Sequence, residues 1–181
     1  METTNVKTFL QEAVTSLCKH KKYFEQGFQK AQRIGLQGEK RVFRLETVKH
    51  HNLVNYLISD AFDSFGVTLE TPSSPAISPI EVPDIPTFFK NYLQVLEKEY
   101  VDLHTIANSL VIALAKYHAG LLYEKCDWLM KRIKYYRRTI MEGDLNDWSK
   151  EYMTLLLSHQ TTAYNEHDGC EKEEAEFGYK Y

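Results

Sequence analysis

The sequence is poor in cysteine, and its cysteines are badly placed for a structural role. There are three, Cys18, Cys126 and Cys170, in 181 residues, and none stands in a CxxC spacing. An odd number of widely spaced cysteines argues against a disulfide framework and against a cysteine-based zinc site. We therefore expect a protein of the reducing cytoplasm.

The sequence also lacks long apolar runs and a broad excess of positive charge. No apolar run approaches the roughly 18 residues needed to span a bilayer, and Met1 to Gln11 mix polar with apolar residues, unlike a signal peptide. We expect neither secretion nor membrane insertion. The formal net charge of −3 argues against affinity built on nucleic-acid phosphates.

Glycine and proline are scarce, and the prolines are confined to one stretch. The eight glycines form no Gly-rich phosphate loop or nucleophile elbow, and no Cys-His nucleophile arrangement is apparent. The five prolines all fall between residues 67 and 86, which cannot be a regular helix or a central strand. That length suits a crossover that runs along a helix bundle.

Apolar residues elsewhere recur every three or four positions, which predicts helices over residues 6–34, 39–65, 87–108 and 109–142. A break near Asn108 and Ser109 is expected because an unbroken helix from Thr87 to Met141 would be on the order of 80 Å long. The predicted fold class is all-α, a four-helix bundle of two antiparallel hairpins joined by the proline-rich crossover. It forms one domain, residues 1–158, which includes a short extra helix at 145–158, and an acidic tail expected to be mobile follows at 159–181.

Four polar residues lie where these helices should be apolar. In "RLETVKHHNLVNYL", residues 44–57, His50 lies in the middle of the apolar sector and Glu46 at its edge. His118 is equally central on the fourth helix, and folding the second hairpin at Asn108 and Ser109 places Glu99 beside it. The candidate metal ligands are therefore Glu46, His50, Glu99 and His118, with His20, Glu97 and Glu124 as outer possibilities.

Two histidines with one or two carboxylates suit iron, zinc or manganese. The alternative is a tolerated polar patch, in which Glu46 and His50 pair with each other or with Tyr and Lys side chains near a wet end of the bundle. The twelve tyrosines, several of them close to arginines as in "IKYYRR", either contact a protein partner or cover the edges of the core.

Three short motifs add a resemblance to this layout. "DSFGVTLETP" (63–72) resembles the end of the second helix in the Dps class of mini-ferritins, and "YEKCDWLMKRI" (123–133) is similar to their last bundle helix. "LEKEYVDLHTIA" (96–107) is similar to the third helix of ferritins. The resemblance, to the ferritin-like superfamily, covers roughly residues 5–142. It implies bound metal, assembly into a homo-oligomer and, in a closed shell, iron oxidation or storage.

The sequence departs from the metal motifs of that superfamily. Ferritins carry Glu-x-x-His on the second helix, whereas Glu46 and His50 are four residues apart. A second such motif on the fourth helix would pair His118 with a glutamate, but Ala115 occupies that position. Two functions are thus expected: a metal-binding bundle with possible ferroxidase-type activity, or a non-catalytic helical interaction protein with degenerate ligands.

Overall fold

The computed structural model of the protein describes residues 2–73, 76–80 and 84–142. These residues form four helices and no strand: α1 (Glu2–Ile34), α2 (Gln37–Phe65), α3 (Ile85–Ile112) and α4 (Lys116–Glu142). The prediction of an all-α protein with four helices is confirmed. The predicted short helix at 145–158 and the acidic tail at 159–181 lie outside the described residues.

The proline-rich crossover runs along α1. The Gln11 side chain donates to the Glu70 carbonyl over 2.8 Å and accepts from the Glu70 N–H over 2.9 Å. Farther along α1, the Gln26 side chain accepts from the Ile80 N–H over 3.2 Å. The crossover therefore returns the chain to the turn between α1 and α2, so that α3 runs antiparallel to α1 and parallel to α2.

Local sequence signals set two of the helix ends. Gly66 ends α2 in the left-handed conformation, with φ of 64°, as glycine does at many helix ends. Asp84 caps α3 because its carboxylate accepts from the Thr87 N–H over 2.7 Å. The break between α3 and α4 was misplaced at Asn108 and Ser109: α3 continues to Ile112. The turn that follows contains no glycine or proline. Within this turn Leu114 has a positive φ, of 63°.

Aromatic rings from α1, α2 and α3 meet in the core beside Gly27. Phe24 and Phe43 have ring centroids 5.5 Å apart, and Phe43 and Tyr92 have centroids 4.7 Å apart. Gly27 makes this packing possible because a Cβ atom there would lie 2.8 Å from the Phe43 ring and 2.9 Å from the Tyr92 ring. The three helices can be this close only while position 27 has no side chain.

Gly27→Ala is expected to destabilise the protein by about 1–3 kcal/mol, because the added methyl group overpacks two buried rings. The matched control is Gly120→Ala in α4, where a Cβ atom meets nothing within 4 Å. That change should stabilise the protein by up to about 1 kcal/mol through helix propensity. Urea unfolding of both variants measures the difference, and equal effects would contradict the packing argument.

Candidate functional site

His50 lies at the centre of a buried polar cluster in the middle of the bundle. It is 0% exposed and packs on Phe24, with the ring centroids 4.9 Å apart. Its Nδ1–H donates to the Glu46 carbonyl over 2.6 Å, and its Nε2 contacts a Glu99 carboxylate oxygen. Because a carbonyl only accepts, Nδ1 carries a proton, and a second proton lies between Nε2 and the Glu99 oxygen, as in a histidine–carboxylate pair.

Glu99, on α3, is the carboxylate that faces this ring. It is 0% exposed. Burial alone would raise its pKa, but the charge and the hydrogen bond of His50, followed by the charges of His20 and Lys125, outweigh burial and lower the pKa to about 2. Glu99 is therefore ionised at neutral pH. Its second oxygen, Oε2, has no hydrogen-bond partner among the described residues.

Lys125, on α4, supplies a buried ammonium group, and it was not among the residues predicted for the site. Its ammonium group forms an ion pair with Glu46 Oε2, with 7% and 1% of the two side chains exposed. The same ammonium lies 4.8 Å from the centre of the Trp128 ring. Two buried carboxylates thus face two cations from the same chain. The spacing of Lys125 in the sequence is a signal for burial. Lys125 follows Leu122 by three residues and precedes Leu129 by four, so it lies on the same face of α4 as these two leucines.

His20 completes the cluster from α1. It is 1% exposed, and its Nδ1–H donates to the Ser16 carbonyl over 2.9 Å. Burial lowers its pKa, and the charge of the nearby Glu99 carboxylate opposes the shift. All four helices therefore contribute a polar side chain to this centre.

His118 belongs to a different place in the bundle. Its Nε2–H donates to Asp60 Oδ2 over 2.6 Å, and its ring lies 5.2 Å from that of Phe65. Asp60 is about 15 Å along α2 from His50, given a rise of ~1.5 Å per residue. This placement follows from the turn between α3 and α4, which lies later in the chain than predicted. When the turn of a helical hairpin moves along the chain by some number of residues, the residue that faces a given position on the other helix moves by twice that number. The residues that approach Glu99 are consequently around Lys125 instead of His118.

Of the three outer candidates, only His20 joins the cluster, and Glu97 and Glu124 do not. Glu97 accepts two bonds from Arg137, of 3.1 and 2.7 Å, and 38% of its side chain is exposed. Glu124 lines a surface groove between α2 and α4. Neither side chain faces the buried charges, which leaves Glu46, His50 and Glu99 as the predicted ligands that the structure brings together.

The arrangement of these three side chains is that of an ion-pair network. A histidine that binds a metal offers a ring-nitrogen lone pair, whereas both His50 nitrogens already face oxygen atoms of the protein. Lys125 lies against the carboxylate oxygen of Glu46. Among the described residues, no group of three His, Cys, Asp or Glu side chains is placed to hold an ion. The residues as arranged do not fit a bound metal.

Comparison of the chain with protein-family models, curated proteins and solved structures gave no match. Within the described part of the chain, no helix combines the length and apolar character needed to cross a membrane. The fold and the site together define a four-helix bundle with one long crossover and a buried, self-neutralised charged centre.

Lys125→Met is expected to destabilise the protein by about 3–5 kcal/mol, because it leaves the buried Glu46 carboxylate without its cation. Lys98→Met is the control, since Lys98 pairs with Asp102 at the surface and 63% of its side chain is exposed. The control should change stability by well under ~1 kcal/mol. Chemical unfolding at neutral pH measures both.

A second variant separates loss of the ion pair from loss of packing. In Glu46→Leu/Lys125→Met, both charges are replaced by apolar groups of similar size, and stability should return to near the wild-type value or exceed it. If the double variant is as unstable as Lys125→Met alone, the lost stability came from packing of the lysine and not from an uncompensated charge.

Proposed function

We propose that this chain is a non-catalytic helical interaction protein, in which the charged centre fixes the register of the helices and an exposed apolar turn contacts another protein chain. The observation that carries the proposal is the pairing of Glu46 with Lys125 and of Glu99 with His50. Buried acidic and basic groups that pair with each other are held in contacts within the protein. They are typical of a structural role.

The surface offered for contact is the apolar turn, which we define as Val111, Ile112, Leu114 and Tyr117. These side chains are 38%, 83%, 68% and 61% exposed. Exposed apolar side chains are common singly, but adjacent ones at one corner of a molecule favour an interaction site. The apolar turn lies at one end of the bundle, between α3 and α4, where it is accessible to a partner.

Leu114 strengthens this interpretation because its backbone is strained. Its φ of 63° is a left-handed conformation that costs a leucine on the order of 1 kcal/mol and glycine almost nothing. A strained, exposed leucine contributes little to the fold of the isolated chain. A contact made by its side chain would account for leucine at this position. The simplest partner is a second copy of the chain, since two-fold dimers are the commonest oligomers.

Leu114→Gly is expected to weaken self-association by about tenfold or more while leaving the stability of the monomer nearly unchanged. Glycine removes the apolar contact and also relieves the left-handed strain, which offsets its greater freedom in the unfolded chain. Val101→Ala, at an apolar side chain 57% exposed on α3, is the control. Sedimentation velocity over a wide range of concentrations measures the association, and a wild-type chain that stays monomeric would refute a homo-oligomer.

Metal binding is the second candidate function, and one observation favours it. Glu46, His50 and Glu99 come from two helices to one centre, and Glu99 Oε2 has no partner among the residues described. Iron, zinc or manganese held by these side chains would need His50 to lose a proton and Lys125 to leave Glu46. The ion would supply Lewis-acid or redox chemistry that the protein side chains lack.

Metal analysis tests this candidate directly. Protein purified without an affinity tag and incubated with Fe²⁺, Zn²⁺ or Mn²⁺ should retain one ion or more per chain if the candidate is right. Glu46→Ala/His50→Ala should lose it, and His51→Ala, one position along α2, should not. Native mass spectrometry counts the ions. Wild-type protein without retained metal would rule the candidate out.

A further inference from the structure

The outward face of α2 is buried, although it points away from the core of the bundle. Successive residues of a helix advance by about 100° around its axis, which places Leu45, Val48 and Asn52 about 140–160° from His50. His50 faces the charged centre, so these three side chains face the opposite way. Leu45 is nevertheless only 7% exposed and Val48 only 2%. We call Leu45, Val48 and Asn52 the back face of α2.

The described helices do not account for this burial. Leu45 and Val48 do not belong to the apolar core that these helices form. Arg41 and Arg44, long side chains next to them along α2, are themselves exposed. Asn52 Nδ2 is buried as well, and it has no hydrogen-bond partner in the described part of the chain. A valine on the solvent side of a helix keeps a larger exposed fraction, so the back face of α2 needs a cover from another segment.

The helix predicted at residues 145–158 has the pattern of such a cover. It follows α4 in the sequence, beyond the described part of the chain. Its apolar residues recur every three or four positions and therefore share one face of a helix: Leu145, Trp148, Tyr152, Leu155 and Leu156. Acidic residues follow the same spacing along one edge of that face: Asp144, Asp147 and Glu151. A short amphipathic helix of this kind gains most of its stability by burying its apolar face against another surface.

The charges of the two surfaces are opposite. Arg41, Arg44 and Lys49 lie beside the back face of α2, because they are within about 40° of Leu45 or Val48 around the helix axis. Residues 143–181 contain nine of the 25 acidic residues of the chain and three of its 22 basic residues. The part of the chain that follows α4 is therefore negative, and it is attracted to the basic surroundings of the back face of α2.

The end of α4 is within reach of the back face of α2. The Tyr135 hydroxyl donates to Glu39 Oε1 over 3.5 Å, so the last turns of α4 lie level with the beginning of α2. Glu142 is about 10 Å beyond Tyr135 along α4, and Leu45 is about 9 Å from Glu39 in the opposite direction, at ~1.5 Å per residue. A helix of residues 145–158 is about 21 Å long, so it reaches Leu45 when the chain turns back after α4.

We propose that residues 145–158 dock on the back face of α2 in the same chain, as an amphipathic helix that covers Leu45 and Val48 and turns its acidic edge toward Arg41 and Arg44. Docking within one chain is favoured over docking on a second copy, because the direct connection to α4 gives the segment a high effective concentration at this surface. The contact is separate from the apolar turn, which lies at the other end of the bundle, and from the charged centre, which lies on the opposite side of α2.

Trp148 fluorescence tests the proposal on the full-length chain. Trp128→Phe leaves Trp148 as the one tryptophan of the sequence. Its emission should be blue-shifted from that of free tryptophan, and acrylamide should quench it severalfold less, at every protein concentration. Val48→Asp in this background should shift the emission to the red and raise the quenching severalfold, because the contact would then bury an unpaired charge. Ser59→Asp is the matched control, since it adds the same charge at an exposed position of α2 and should change neither quantity.

A charge exchange repeats the test without touching a buried side chain. Arg41→Glu/Arg44→Glu should increase the quenching of Trp148 at low salt, and adding Asp147→Lys/Glu151→Lys should reverse the increase. Three results would each overturn the proposal. They are a Trp148 as accessible as free tryptophan, equal effects of Val48→Asp and Ser59→Asp, and shielding that disappears on dilution, which would assign the contact to a second copy of the chain.

Discussion

The buried ion pairs between Glu46 and Lys125 and between Glu99 and His50 are the constraint on which the rest of the structure depends. Removing charged groups from water costs several kcal/mol for each ion, and mutual attraction offsets this only when every charge meets its opposite at close range. A shift of one helix along another would leave a carboxylate facing apolar side chains. The network therefore adds little net stability but strongly disfavours other registers, as a specificity device in a bundle held mainly by apolar packing.

The same network accounts for the shape of the bundle. The aromatic core draws α1, α2 and α3 together around Gly27, where no side chain intervenes. Lys125 instead reaches Glu46 from α4 with a long side chain, which lies beside Trp128. A lysine spans more distance than the close ring contacts on the other side of the bundle. This difference in reach is consistent with a groove between α2 and α4 and with close packing between α1 and α3.

The sequence alone predicts the fold class correctly. It also predicts which polar side chains of the helices point into the bundle. Helical periodicity identified the four helices, and the position of the prolines identified the crossover, because both depend on local geometry. The same periodicity placed His20, Glu46, His50 and Glu99 in the interior, and all are at most 1% exposed. The pairing of side chains across the second hairpin was wrong because it depends on where the turn lies. Leu114 takes a left-handed conformation that sequence preferences assign to glycine or asparagine.

That turn also determines which polar residues face one another. With the break at Asn108 and Ser109, Glu99 would face His118, and two histidines with two carboxylates would form a plausible ligand set. With the break after Ile112, the fourth helix presents Lys125 to the charged centre, and His118 pairs with Asp60. A lysine in that position pairs with a carboxylate that the predicted arrangement would have left as a metal ligand. The character of the site thus follows from the length of α3, and α3 ends where a strained leucine can turn the chain.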